Sequence, residues 1–212
     1  MTRRFFNRYF CLTALATLMV GTLGMTSQPA LAALTTAEVD TLKAGKIVVH
    51  PKKQNGMDAV EATILINRPV NEVWAIVRDT ENTLRKSSNF ERVKVISRPA
   101  TNKEVVEYQV KLAPFLPPLN YVGQVEYIPL KGTKFKRLEG AFEAMDGKTT
   151  LSAGPEAGQT IMAYELAIKP GVPIPQSVIA SFLSTDLPKS LRKIEQAVYA
   201  KYPQTTLANK PK

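Results

Sequence analysis

The chain is poor in the side chains that do chemistry. Cysteine, histidine and tryptophan occur once each in 212 residues. A lone cysteine cannot close an internal disulfide, and with one histidine it cannot furnish the three or four nitrogen and sulfur ligands of an ordinary zinc site. A catalytic triad would have to run through His50, which has no neighbouring acid in sequence to orient it. No Gly-rich phosphate loop and no cluster of metal-ligating residues is present. The expectation is therefore no catalytic residue, no metal and no cofactor. Acids in strand-like segments, such as Glu107, Glu126 and Glu165, fall on polar positions and read as a solvated sheet face.

What is abundant is ordinary. Hydrophobic residues make up 44% and charged residues 22%, the balance of a globular chain, and the length suits one domain. The formal net charge of +10 is misleading until the N-terminus is read. Arg3, Arg4 and Arg8 precede an apolar stretch from Cys11 to Met25, and Ala30-Leu31-Ala32 has the small-x-small pattern of a cleavage site. Residues 1–32 are expected to be a cleaved export signal. Thr2-Arg3-Arg4-Phe5-Phe6 also resembles a twin-arginine signal, so either export route fits. Losing those three arginines and no acid turns +10 into +7, and the only cysteine leaves too. A thiol-free, basic domain suits an oxidising space, the periplasm or an equivalent lumen or extracellular compartment. Nucleic acid is a poor partner, since no aromatic-basic interleaving is evident.

Beyond the signal, Thr35 or Thr36 can cap a short helix that stops at Gly45. Lys46–His50 is β-type, Asn55-Gly56 is a hairpin signal, and Val60–Asn67 is rich in β-branched residues. After Arg68-Pro69, apolar residues at 70, 73, 74 and 77 have helical spacing, and Asp79–Asn89 reads as a second short helix with a loop. Period-two alternation follows in Phe90–Ser97, Lys103–Leu112, Asn120–Pro129, Thr133–Glu139, Lys148–Ala153 and Gln159–Lys169. Turn chemistry stands at Lys131-Gly132, Asp146-Gly147 and Gly154-Pro155. A helix then runs to about Ala200, with an apolar stripe at 178, 179, 182, 183, 187, 191, 194 and 198, and Pro188 should kink it. Two-faced strands with one large amphipathic helix imply an α+β fold in which the sheet curls around that helix. A cavity between the two is the natural consequence.

These residues resemble a known superfamily. Ile64–Pro69 leading into Val70-Asn71-Glu72-Val73-Trp74 and Arg78-Asp79, then Gly140, Asp146-Gly147, Gln159-Thr160, Tyr164 and Pro173–Leu191, are similar to the START-like (SRPBCC, helix-grip) proteins. Within these the nearest pattern is the polyketide cyclase/dehydrase and coenzyme Q-binding START-like group. The resemblance spans about residues 34–200 and implies a curved antiparallel sheet of about seven strands wrapped around a long C-terminal helix. The polar Thr80–Asn89 stands where the coenzyme Q-binding proteins carry aromatic residues and a proline, which speaks against a quinone.

The chain is expected to divide into the signal (1–32), a preface of short helix and strand (33–58), a START-like ligand-binding domain (59–202) and a polar tail (203–212). For the exported chain, expected to be a monomer, the resemblance implies binding or transport of a hydrophobic small molecule of lipid, isoprenoid or quinone-like character. The expected lining is Tyr108, Val110, Leu112, Tyr121, Val125, Met162, Tyr164 and Leu166 from the sheet, with Ile179, Phe182 and Leu183 from the helix. Trp74 is expected to pack the first long helix onto the sheet. Two alternatives belong to other classes. One is an aromatase/cyclase-type enzyme using a buried acid and a tyrosine in the same cavity. The other is an envelope module that docks on an anionic membrane through the Pro-rich loop carrying Phe115, Leu116 and Leu119, aided by Lys131, Lys134, Lys136 and Arg137; the same loop can alternatively gate the pocket.

Overall fold

The computed structural model describes residues 34–85 and 89–203. The expected export signal and nearly all of the polar tail therefore lie outside the described residues. Thr35 caps α1 (Thr36–Lys43) through a capping box with Glu38, whose carboxylate accepts from the Thr35 backbone N–H at 2.7 Å. Asn55 and Gly56 both take positive φ, the geometry of a tight hairpin turn, and join β1 (Val48–Gln54) to β2 (Met57–Ile66). The β-run expected at Lys46–His50 thus starts two residues later and extends through the whole hairpin arm.

Pro69 precedes α2 (Val70–Val77), and α3 (Thr80–Arg85) follows at once. The chain then builds β3 (Phe90–Ala100), β4 (Lys103–Val110), β5 (Leu119–Ile128), β6 (Gly132–Gly140), β7 (Phe142–Ala153) and β8 (Thr160–Pro170). All pairings are antiparallel, in the order β1-β2-β8-β7-β6-β5-β4-β3. The sheet has eight strands, one more than the resemblance implied, because the preface strand β1 pairs with β2 along its length.

Burial follows the alternation. Val106, Tyr108 and Val110 of β4 are buried on the inner face, while Glu107 faces outward and pairs with Arg92 at 3.3 Å. Glu165 meets Lys52 at 3.2 Å and Lys148 at 3.9 Å, and Glu126 meets Lys103 at 3.8 Å. The outer face is a lattice of ion pairs, as its sequence suggested. Part of it is covered: Leu42 of α1 packs with Val48, Leu65 and Ile161, so β2 and β8 are buried on both faces. His50 lies at this edge, 2.7 Å from Glu38, and serves to tie α1 to β1.

Two expectations about local structure are corrected. Asp146-Gly147 is no turn; it lies inside β7, with Gly147 opposite Phe135 on β6 and Leu166 on β8. A Cβ on Gly147 would stand 3.4 Å from Phe135 Cβ and 3.5 Å from Leu166 Cδ1, ordinary contact distances, so the strand passes through this glycine without a turn. The C-terminal helix is also not uniform. It consists of α4 (Gln176–Ser181), a π turn (Phe182–Asp186) and α5 (Leu187–Lys201). Pro188 has no N–H to donate to residue 184 and its ring crowds that carbonyl. The helix widens there, so that the Leu187 N–H reaches back five residues to the Phe182 carbonyl. Pro188 then falls in the first turn of α5, where its missing donor costs nothing.

Buried Arg68 closes the fold. Its Nε donates to the Tyr202 carbonyl at 2.8 Å, its guanidinium lies 5.3 Å from the Tyr199 ring, and the Thr160 hydroxyl donates to its own carbonyl at 2.7 Å. The start of α2 and the end of α5 are thereby pinned to β8. Trp74 packs on the main core, its ring edge-on to Tyr127 at 6.3 Å.

Candidate functional site: a charge-free cavity between sheet and helix

Between the concave face of the sheet and α5 lies a partly enclosed cavity of about 130 Å³. Every strand from β3 to β8 contributes to its wall, and α2, α3, the π turn and α5 close the other side. The strand contribution is a direct result of alternation, because each inward residue is flanked by two that face away.

Of the eleven residues expected at the site, nine line this cavity: Tyr108, Val110, Leu112, Tyr121, Val125, Met162, Tyr164, Leu166 and Phe182. Ile179 and Leu183 do not. Ile179 is buried in the main core, and Leu183 faces a separate depression beside Pro51, Lys52, Ala59 and Val60. Leu183 falls inside the π turn, which shifts the helical register after Phe182, so the cavity-facing set is Phe182, Leu187, Ser190, Leu191 and Ile194.

Several lining residues were not anticipated. Phe135 and Thr133 of β6 alternate inward, and Phe142, Met145 and Thr149 of β7 do the same across a bulge between Phe142 and Ala144. The alternation in β6 was already visible, whereas β7 was hidden by reading Asp146-Gly147 as a turn. Val77, Thr80 and Thr83 enter from the helices that cap one end, and Phe90 from β3. In the Pro-rich loop, Phe115 is 72% exposed, while Leu116 and Leu119 fold back against the core. None of these three loop residues lines the cavity.

Among the described residues, the wall contains no Lys, Arg, His, Asp or Glu. Aromatic rings give it shape: Tyr108 stacks on Tyr121 at 4.8 Å and 15°, and Phe135 meets both edge-on at 5.8 and 6.2 Å. Burial holds the hydroxyls of Tyr108 and Tyr121 well above the usual tyrosine range, and neighbouring tyrosines add to the effect. Burial alone pushes Tyr164 up to about 12. All three stay protonated at any physiological pH.

The helix-side hydroxyls are already engaged. Thr83 donates to the Ile76 carbonyl at 2.7 Å and Ser190 to that of Asp186 at 3.1 Å. Thr80 Oγ1 is 2.7 Å from Tyr127 Oη, which in turn donates to Glu104 Oε2 at 2.7 Å, so the Thr80 proton points to Tyr127. Glu104 lies behind the cavity wall and pairs with Arg98 at 3.0 Å. Among the described residues no group of three or more His, Cys, Asp or Glu could hold a metal ion.

Comparison with known proteins agrees with this architecture. A crystal structure from Thermus thermophilus aligns with a TM-score of 0.60 at 18% identity, covering 68% of this chain and 99% of that one. A STAR-related lipid transfer protein from Xanthomonas axonopodis aligns with a TM-score of 0.60 at 14% identity, covering 72% and 93%. The ZhuI aromatase/cyclase from Streptomyces sp. R1128 aligns with a TM-score of 0.55 at 16% identity, covering 68% and 93%. These likenesses establish the START-like helix-grip fold. No curated protein matches the sequence. The family model for polyketide cyclase/dehydrase and lipid transport proteins matches residues 66–195, more than half of the chain. The chain belongs to the polyketide cyclase/dehydrase and lipid transport family.

Proposed function

We propose that this is an exported protein that binds or carries a hydrophobic small molecule between its sheet and its C-terminal helix. The observation that carries the reading is the cavity itself, apolar in its walls and, among the described residues, free of charge. Ligand sites are concave and mostly apolar, with a few placed polar groups, and this wall has that composition. The family and the lipid transfer neighbour support the same reading. Export is supported by the basic-apolar-small pattern of residues 1–32 and by the absence of cysteine after it. The experiment is native mass spectrometry of the purified chain after incubation with an organic extract of membranes. A 1:1 non-covalent adduct released by denaturing solvent is expected; an unliganded mass throughout would sink the reading.

A second reading is an aromatase/cyclase-type reaction, favoured by one observation. The Thr80–Tyr127–Glu104 chain leads from the cavity wall to a carboxylate, a path along which a proton can leave. In that case Tyr127→Phe abolishes turnover of a polyketide substrate while leaving ligand affinity unchanged. For delivery to a membrane, the contact proposed is Phe115 beside Lys111, on an anionic lipid surface. Phe115→Ser then weakens binding to phosphatidylglycerol liposomes without changing thermal stability.

A further inference from the structure

The cavity differs from a generic greasy pocket in where its unsatisfied polar groups stand. Tyr108 and Tyr121 are cross-strand partners on β4 and β5. Thr133, Thr149 and Tyr164 form a row of partners across β6, β7 and β8. All five side chains line the cavity. Tyr108 and Tyr121 are at most 4% exposed. Tyr164 is half-buried on the same wall. Among the described residues, no protein group hydrogen-bonds to any of these five hydroxyls, in contrast to Thr80, Thr83 and Ser190 on the helical side.

A hydroxyl that faces a cavity without a protein partner must find one in whatever fills that space, because an unmet hydrogen bond costs free energy. Five such hydroxyls stand on the sheet wall, opposite a helical side whose own hydroxyls are engaged, and they form a surface able to meet something polar. No described residue on that wall can neutralise a charge, however. A carboxylate or phosphate brought here would lose its hydration and gain no cation, a penalty that hydroxyls alone do not offset. Size is a further constraint. A cavity of about 130 Å³ is close to the roughly 150 Å³ of an engineered apolar cavity that takes up one benzene ring. A whole phospholipid does not fit without parting the helix from the sheet.

Resting on the reading of the cavity as a ligand site, we infer that its occupant is an uncharged, ring-sized apolar molecule bearing a hydroxyl or carbonyl oxygen. The sheet-side hydroxyls hold that oxygen, and α5 covers the apolar remainder. Fatty acids and phospholipids are excluded by their charge and size. The tyrosines stay un-ionised across the physiological range, so recognition does not vary with pH there.

The test is a matched series of three probes with one apolar body, titrated into the full chain by calorimetry at pH 7: 4-propylphenol, propylbenzene and 4-propylbenzoate. Palmitate and phosphatidylglycerol are run beside them. The phenol is expected to bind three- to tenfold more tightly than the hydrocarbon, the gain of about one hydrogen bond. The benzoate, palmitate and phosphatidylglycerol are expected not to bind. Tyr108→Phe, Tyr121→Phe and Tyr164→Phe remove a hydroxyl that no protein group uses, so their melting temperatures should hold or rise. At least one of them should bring the phenol down to the affinity of the hydrocarbon. Tight binding of the benzoate or of palmitate, or equal affinity for phenol and hydrocarbon, would overturn the inference while leaving a ligand site in place. Binding of no probe at all would overturn the site reading as well.

Discussion

Four tyrosines, Tyr108, Tyr121, Tyr127 and Tyr164, are held above the ordinary tyrosine range chiefly by burial. That makes them a stability reporter with a definite sign. A group whose folded pKa is raised contributes stability that is whole below its unfolded value near 10 and is lost as pH climbs through the folded value. Above pH 10 the unfolded chain releases protons that the native chain keeps, at about 1.4 kcal/mol per pH unit for each such tyrosine. The urea midpoint should therefore fall steeply between pH 9.5 and 11.5. Tyrosinate absorbance at 295 nm from these four should rise only with unfolding. Replacing Tyr121 by Phe should flatten the fall. Reversible titration of all four near pH 10 in the folded protein would contradict their burial.

Inward-facing strand residues were readable because alternation has only two answers, and Tyr108, Tyr121 and Met162 took the buried one. The helix face was harder. Its stripe is drawn with one period, but Pro188 imposes a π turn that breaks that period after Phe182, so Leu183 leaves the cavity while Leu187, Leu191 and Ile194 of the same stripe face it. Asp146-Gly147 failed for a different reason: a glycine inside a strand looks, in sequence, like a glycine needed for a turn. Contacts between distant segments, such as Arg68 with Tyr202, carry no local signal at all.

Space is the issue at Gly123, which stands where the β5–β6 register shifts. A Cβ there would lie 2.2 and 2.4 Å from the edge of the Phe135 ring, a member of the cavity wall. Gly123→Ala should destabilise the protein by about 1–3 kcal/mol, the range for overpacking a core. Adding Phe135→Leu should recover part of that loss, a non-additivity that a double-mutant cycle of urea midpoints will measure. Equal costs in both backgrounds would mean that the ring does not set the constraint.

The molecule as a whole separates its polar work by face. Ion pairs such as Lys52–Glu165 and Arg92–Glu107 cover the outside of the sheet, where each contributes little and keeps the domain soluble. Among the described residues, the cavity wall carries no charge, and its hydroxyls without a protein partner stand on one side. The proposed neutral occupant would need no histidine, cysteine or buried acid. A crystal of the full chain soaked with 4-bromophenol puts this to the test through the anomalous scattering of bromine. A single strong peak is predicted inside the sheet, between Tyr121, Phe135 and Leu166, with the phenol oxygen within hydrogen-bond reach of Tyr108, Tyr121 or Tyr164. Bromine found only at the surface, with the interior closed by side chains, would contradict it.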